Sequence, residues 1–306
     1  DVYKRQPLDY SLNKPLSSGS NPIKYIFKDL PLFIALFAVL IFGLAMLYSS
    51  SGQSFSMVIR QSVYVFLGLS LMTFISHLKP DSYKNVLMHS YWVGLFLLIY
   101  VLLNPADGYS TSRWIDLGFF QFQPSEIIRL ILPLSLIAYL SRRDSTPILS
   151  DWLFTTLAAL ICSYLVFEQP DLGTSIIVLT SGLIPIYLAG LPYRIIAVYL
   201  GFVAIASPYF WSSLLDYQKQ RVLTLLDPNA DPLGTGWNIA QSQTAIGSGG
   251  FFGKGYLEGT QSQLNFIPES HSDFIFSVIG EEFGLLGIAC LFALYGTIIW
   301  RIFKIG

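Results

Sequence analysis

The stretch PLFIALFAVLIFGLAMLYS, residues 31–49, carries no charged side chain over nineteen positions. That is close to the roughly 20 apolar residues a helix needs to cross about 30 Å of hydrocarbon. Working outward, seven further runs follow between polar breaks: Ile59–Leu78, Tyr83–Leu103, Ile127–Leu140, Trp152–Phe167, Ser175–Ala189, Ile195–Trp211 and Phe274–Trp300. The fourth to seventh are short or interrupted by Gly and Pro. Lipid offers the backbone no hydrogen bonds, so a spanning segment must be a helix or part of a closed barrel. These runs are too long and too continuously apolar for barrel strands. The expected fold is all-α, a polytopic transmembrane helix bundle with eight spans and a long extracytoplasmic loop, residues 212–272, before the last.

Composition agrees. Of 306 residues, 53% are hydrophobic and 12% charged, against about 25% charged in an ordinary globular chain, which excludes a soluble domain. A net charge of −1 gives no electrostatic basis for binding nucleic acid. Cys162 and Cys290 lie in apolar runs without CxxC or Cys/His spacing, so neither a zinc site nor a disulfide framework is indicated. The polar residues 1–30 lack the pattern of a cleavable signal. They read as a cytoplasmic N-terminal segment, with residues 31–306 as the transmembrane domain.

Lys and Arg residues near span ends mark the cytoplasmic side. Lys4, Arg5, Lys14, Lys24, Lys28, Lys79, Lys84, Arg142, Arg143, Arg194, Arg301 and Lys304 all fall on one side of the eight-span arrangement. Arg60, Arg113, Arg129, Lys219, Arg221 and Lys254 fall on the other, outer side. That face also holds the long loops, with a short amphipathic helix expected over Tyr217–Leu226 and the remainder of 212–272 folding on the membrane surface.

Three constellations there carry possible chemistry. Pro268-Glu269-Ser270-His271-Ser272-Asp273 stands directly before the last run. An aspartate at the edge of the hydrocarbon can act as a general base; a helix N-cap is the alternative use of Asp273. Beyond it, Ser277, Gly280, Glu281, Gly284 and Gly287 recur at three- and four-residue steps and form one small, polar stripe that should face the bundle. Glu281 and Glu282 lie about 12 Å deeper at 1.5 Å per residue, where charges are paired or functional.

The second constellation is Ser112-Arg113-Trp114-Ile115-Asp116-Leu117-Gly118, followed by Gln123-Pro124-Ser125-Glu126 and Arg129. Glu126 and Arg129 share a helix face and can form an ion pair. Alternatively Arg113, Arg129 and Arg60 form a cationic pocket suited to a diphosphate, with Trp114 as an interfacial anchor or a stacking surface for a sugar. The third, Gln169-Pro170-Asp171-Leu172-Gly173-Thr174, has turn-forming composition, with Asp171 the second-choice catalytic carboxylate. Gly247-Ser248-Gly249-Gly250-Phe251-Phe252-Gly253-Lys254-Gly255 looks phosphate-cradling, but Gly255 follows the lysine and Ser248 stands where the upstream glycine should be. It is no Walker loop, and a flexible or ligand-facing loop is expected.

On Ser112-Arg113-Trp114-Ile115, Gln123-Pro124-Ser125-Glu126, Gln169 to Thr174, Pro268 to Phe276 and Gly280-Glu281-Glu282-Phe283-Gly284, the chain resembles the SEDS family, the shape, elongation, division and sporulation proteins. The resemblance covers nearly the whole chain. Gln241-Ser242, Ala245 to Gly250, Gly253-Lys254-Gly255 and Gly259-Thr260-Gln261-Ser262 resemble the elongation branch rather than the division branch.

The resemblance implies a peptidoglycan glycosyltransferase joining lipid II units into β-1,4 glycan strands on the outer face of the bacterial cytoplasmic membrane. Asp273 is the implied essential residue, and roles are implied for Trp114, Glu126 and the basic position held here by Arg129. The family more often has lysine at that position, and threonine where Ser272 stands. Arg113, Arg60, Lys254, Glu269, His271 and Asp171 complete the candidate substrate-binding set. Ten spans are usual in the family, so the sequence is expected to stop two short.

No ligand cluster identifies a metal, although a divalent cation, Mg or Mn, could assist. Implied partners are lipid II, the nascent glycan strand, membrane lipid and a class B penicillin-binding protein of the elongation complex. Two other readings are a lipid II flippase, which needs a polar route through the midplane, and a non-catalytic scaffold for that penicillin-binding protein.

Overall fold

The structure, a computed structural model, describes residues 29–77, 80–104, 113–116, 121–141, 147–227, 235–264, 266–267 and 269–305. Residues 1–28, Lys79, Ser112, Leu117, Gly118, Arg142, Arg143 and Pro268, which entered the reading above, lie outside that set.

Each of the eight apolar runs is a helix: α1 Leu30–Ser50, α2 Phe55–Ser76, α3 Pro80–Leu103, α4 Pro124–Leu140, α5 Leu149–Glu168, α6 Leu172–Leu188, α7 Tyr193–Ser213 and α11 Ile275–Ile305. Six of them are long and apolar enough to cross a membrane, while α4 and α6 have 17 residues each. The segment before the last run contains three further helices, α8 Asp216–Leu226, α9 Thr235–Ser248 and α10 Thr260–Gln263. The strands β1 Ile115–Asp116 and β2 Gln121–Phe122 pair antiparallel in a two-stranded ribbon, Ile115 opposite Phe122. The chain is a multi-pass helical membrane protein.

By internal contacts it forms two compact units, one of residues 1–77 and 223–306 and the other of residues 78–222. In the second unit α4 packs against α3 and α6, and α5 against α6. Their shared core is Leu98, Ile128, Leu132, Ala159, Cys162, Val166, Val178 and Ile186, all fully buried. Polar side chains inside it are satisfied across helices. Ser175 donates to the Ser163 carbonyl at 2.8 Å, Ser135 to the Leu87 carbonyl at 2.7 Å, and the buried Gln169 amide to the Leu98 carbonyl at 3.1 Å. Such pairings are the expected glue where lipid removes most of the hydrophobic drive between helices. By contrast α7 has no buried residue and joins the unit through Thr156–Tyr199 and the Phe167–Phe210 ring pair.

In the first unit α1 runs antiparallel to α11. At one end Asp29 caps α1 by accepting from the Leu32 N–H at 3.2 Å and pairs with Arg301. That guanidinium, chiefly, holds the Asp29 carboxyl below the ordinary carboxylate range. At the other end Ser49 of α1 donates to Glu282 of α11, and Ser270 donates to the Ser50 carbonyl at 2.8 Å. Met46, Val278 and Ile279 form the apolar contact between the two helices, with Phe42 edge-on to Phe283 at 5.6 Å.

Two expectations are corrected here. The last span is not one continuous helix, because at Gly284 the backbone turns to φ 62°, ψ −159° and the helix is interrupted. The Gly247–Gly255 segment, expected as a flexible or ligand-facing loop, packs into that interruption. Lys254 and Gly255 donate their N–H groups to the carbonyls of Glu281 and Glu282 at 3.0 Å each. In return Leu285 and Leu286 donate to the carbonyls of Gly250 and Phe251 at 3.0 and 3.1 Å. A helix broken inside hydrocarbon exposes polar groups that water cannot reach, and irregular backbone survives there only when protein satisfies it. Gly249 and Gly253 let the loop come this close, since a Cβ at either would strike main-chain atoms at Gly280–Glu282. Nine residues from Ile275 to Gly284 put the splice about 13 Å below the start of the helix. Residues 249–255 therefore run beside the helix, about 13 Å along it from its start.

Candidate active site

The Asp273 turn is built by its own short-range bonds. Glu269, in the left-handed region at φ 53°, accepts from the N–H of Ser272 at 3.1 Å and of Phe274 at 3.4 Å through its carbonyl. Its carboxylate takes the Ser272 hydroxyl at 3.2 Å and lies 3.8 Å from His271 Nε2. Buried Ser270 ties the turn to the end of α1. Because α11 begins at Ile275, Asp273 stands two residues before the helix and does not cap it. Its side chain is exposed and has no hydrogen-bond or ionic partner among the described residues.

The neighbouring acids are committed elsewhere. Glu281, 0% exposed, accepts from Lys254 Nζ at 2.7 Å, the Thr260 hydroxyl at 3.1 Å and the Gln261 N–H at 2.9 Å. Glu282, 1% exposed, takes the Ser49 hydroxyl, while its Oε2 is one of two buried side-chain acceptors with no partner among the described residues, the other being Gln261 Oε1. Ser277, Gly280, Glu281, Gly284 and Gly287 are all buried, so the small-residue stripe does face protein. Ser277 meets Ser242 of α9 there. Tyr256 donates to the Ala45 carbonyl at 2.8 Å. Arg60, in the second turn of α2, is exposed and without a partner among the described residues.

In the second unit Arg113 braces the turn after α5. It donates through Nε to the Gln169 carbonyl at 3.0 Å, through Nη2 to the Pro170 carbonyl, and stands 3.7 Å from Asp171. Tyr217 also donates to the Pro170 carbonyl, at 2.8 Å. Asp171 is the N-cap of α6, accepting from the Thr174 N–H at 3.1 Å. Glu126 and Arg129 form the ion pair their spacing suggests, both partly exposed. Trp114 is half-buried beside the ribbon.

Sequence reasoning passed over Ser49 and Tyr256, whose partners come from distant parts of the chain, and used Thr260 and Gln261 only as part of a motif carrying the resemblance. Among the described residues, no group of three or more His, Cys, Asp and Glu side chains is placed to hold a metal ion.

A family model described as "Cell cycle protein", that of FtsW, RodA and SpoVE, matches residues 29–306. The chain belongs to the FtsW, RodA and SpoVE family. Over 287 residues this family member is 42% identical to the peptidoglycan glycosyltransferase MrdB of Escherichia coli K12, covering 92% of this chain and 78% of that one. It is 34% identical over 291 residues to a probable peptidoglycan glycosyltransferase FtsW of Thioalkalivibrio sulfidiphilus, covering 91% and 72%. Among solved structures, a chain of a peptidoglycan synthase complex that coordinates polymerization and crosslinking matches with TM-score 0.73 at 32% identity, over 90% of this chain and 77% of that one. The Thermus thermophilus rod shape determining protein RodA matches with TM-score 0.62 at 28% identity, over 90% and 74%.

Proposed function

We propose that this protein is a peptidoglycan glycosyltransferase that polymerises lipid II, with Asp273 as general base. The relatives' activity and the 42% identity across 92% of the chain support the reaction class. The single observation that carries the residue assignment is the state of the carboxylates. Glu126, Asp171, Glu269, Glu281 and Glu282 each hold a partner, whereas exposed Asp273 has none among the described residues. A base must present a free lone pair to the proton it removes.

In this reading the Asp273 carboxylate takes the proton of the acceptor GlcNAc 4-hydroxyl as that oxygen attacks C1 of the donor MurNAc. The C1–O bond to the diphosphate breaks, and undecaprenyl diphosphate leaves with the electron pair. An α-linked donor giving a β bond is a single inversion, so one base suffices and no covalent enzyme intermediate forms. Charge grows on the departing diphosphate, and unpartnered Arg60 is the cation of the same unit assigned to it. In the second unit Arg113 and Asp171 hold the turn before α6, and the roles of Trp114 and of the Glu126–Arg129 pair stay as what the family resemblance implies.

The distribution of Lys and Arg supports an outer-face position for the Asp273 end of α11 and a cytoplasmic position for both ends of the eight-helix set. A transpeptidase of the penicillin-binding class is the proposed partner, in keeping with the coupling of polymerization to crosslinking in the complex whose chain this one resembles. The test uses the full-length protein and labelled lipid II. Asp273→Asn should abolish glycan-strand formation while lipid II binding persists; undiminished polymerisation by the variant rejects the assignment.

A further inference from the structure

We propose that the Lys254–Glu281 pair, its carboxylate fully buried and its lysine partly exposed, is a positioning device for Asp273, fixing the segment that leads into the Asp273 turn onto the helix that leads out of it. The proposal rests on the reading of Asp273 as base and names what holds that base in place.

Glu281 lies eight residues after Asp273 on α11 and is fully buried. Every donor to its carboxylate that has been named comes from the chain before the turn: Lys254 Nζ at 2.7 Å, Thr260 Oγ1 at 3.1 Å and Gln261 N at 2.9 and 3.2 Å. Lys254 also donates to Thr260 at 2.8 Å, so ammonium, hydroxyl and carboxylate close a triangle. The Gln261–Glu281 contact thereby closes a 20-residue loop with Asp273 inside it. One side of the turn is held by α11 and the other by this carboxylate, while Ser270 pins the middle to Ser50.

A buried ion pair is weak evidence for stability, because desolvating both charges offsets most of their attraction and apolar residues of similar volume often serve as well. What the pair supplies that an apolar contact would not is direction: a carboxylate with three separate donors has one arrangement that satisfies them all. Misplacing a catalytic group by about 1 Å can cost on the order of 100-fold in rate.

The experiment uses the full-length protein with labelled lipid II. The double variant Glu281→Gln/Lys254→Met removes the pair without leaving a lone buried charge, and Lys254→Arg restores a charged donor. The double should lower kcat by roughly 10- to 100-fold with KM within about threefold, and Lys254→Arg should retain most of the rate. A spin label at Ser272→Cys, in a background with Cys162 and Cys290 replaced by Ala, should become more mobile in the double. Should the double fail to fold, Thr260→Val removes one donor alone and should give the same label change with a smaller loss of kcat. Unchanged kcat and label mobility in whichever variant folds overturn the positioning role, provided Asp273→Asn is inactive. If Asp273→Asn itself polymerises, the base assignment is what fails.

Discussion

Gly284→Ala is the sharpest structural perturbation available, because two independent costs meet at one atom. The residue sits at φ 62°, ψ −159°, a region open essentially to glycine alone, and an alanine there costs about 1–3 kcal/mol in backbone strain. The added Cβ would also lie 2.7 Å from the Phe251 carbonyl oxygen and 2.8 Å from its carbon, and closer still to the Gly253 nitrogen. Those neighbours are main chain and already bonded to Leu286 and Gly249, so they cannot swing aside as a flexible side chain would. Overpacking of this kind adds about 1–3 kcal/mol. The sum, about 2–6 kcal/mol, should appear as a fall of at least about 5 °C in apparent Tm, followed by fluorescence-detected size exclusion after heating in detergent. Gly296→Ala in the same helix is the control: its Cβ meets nothing within 4 Å, and replacing a helical glycine should be neutral or stabilising by up to about 1 kcal/mol. If Gly284→Ala melts with the wild type, the splice between the 249–255 loop and the broken helix is not part of the fold.

Asp171→Asn should keep polymerisation within about threefold, since asparagine caps helices as well as aspartate does, whereas Asp171→Ala should lower stability by about 1 kcal/mol; a dead Asp171→Asn enzyme with wild-type Tm would return that residue to the catalytic list. Arg113→Ala strips a donor from the Gln169 and Pro170 carbonyls and should destabilise by about 1–3 kcal/mol, read by the same melting assay. For the Asp29–Arg301 clasp the folded carboxyl titrates below its ordinary value. Its contribution is therefore complete above about pH 4 and is lost as pH falls through the lower folded value. Asp29→Asn should melt below wild type at pH 7, with the gap narrowing only as pH falls below about 4 and through the lowered folded value, and a gap that narrows already above that range would show that the ion pair is not responsible.

Much of the candidate site was visible in the sequence for local reasons. The Glu126–Arg129 pair is a consequence of three-residue spacing on a helix, and the Gln169–Asp171 turn of its Pro and Asp composition. The buried polar stripe on the last span follows from the helical period. The glycine-rich segment was misread because its composition matches a mobile loop. Its actual use, filling a break in another element, leaves no local mark: Gly253 is explained only by the Glu282 carbonyl it lies against. Lys254 likewise stands in the sequence as an outer cation of the candidate substrate-binding set, whereas its partner Glu281 is 27 residues away.

The chain by itself determined that this is a membrane protein of eight apolar helices, and where they lie, because burial in lipid is a property of each segment's own composition. It also determined the family, through motifs that are contiguous in the chain. Only the tertiary structure decided which of the motif acids are engaged, and that Asp273 has no partner among the described residues. Hydrogen bonds such as Ser49 to Glu282, 233 residues apart, depend on how helices meet, and no window of sequence contains both partners. The interrupted last helix belongs to the same class, since its broken backbone is tolerable only once a distant loop has supplied the missing donors and acceptors.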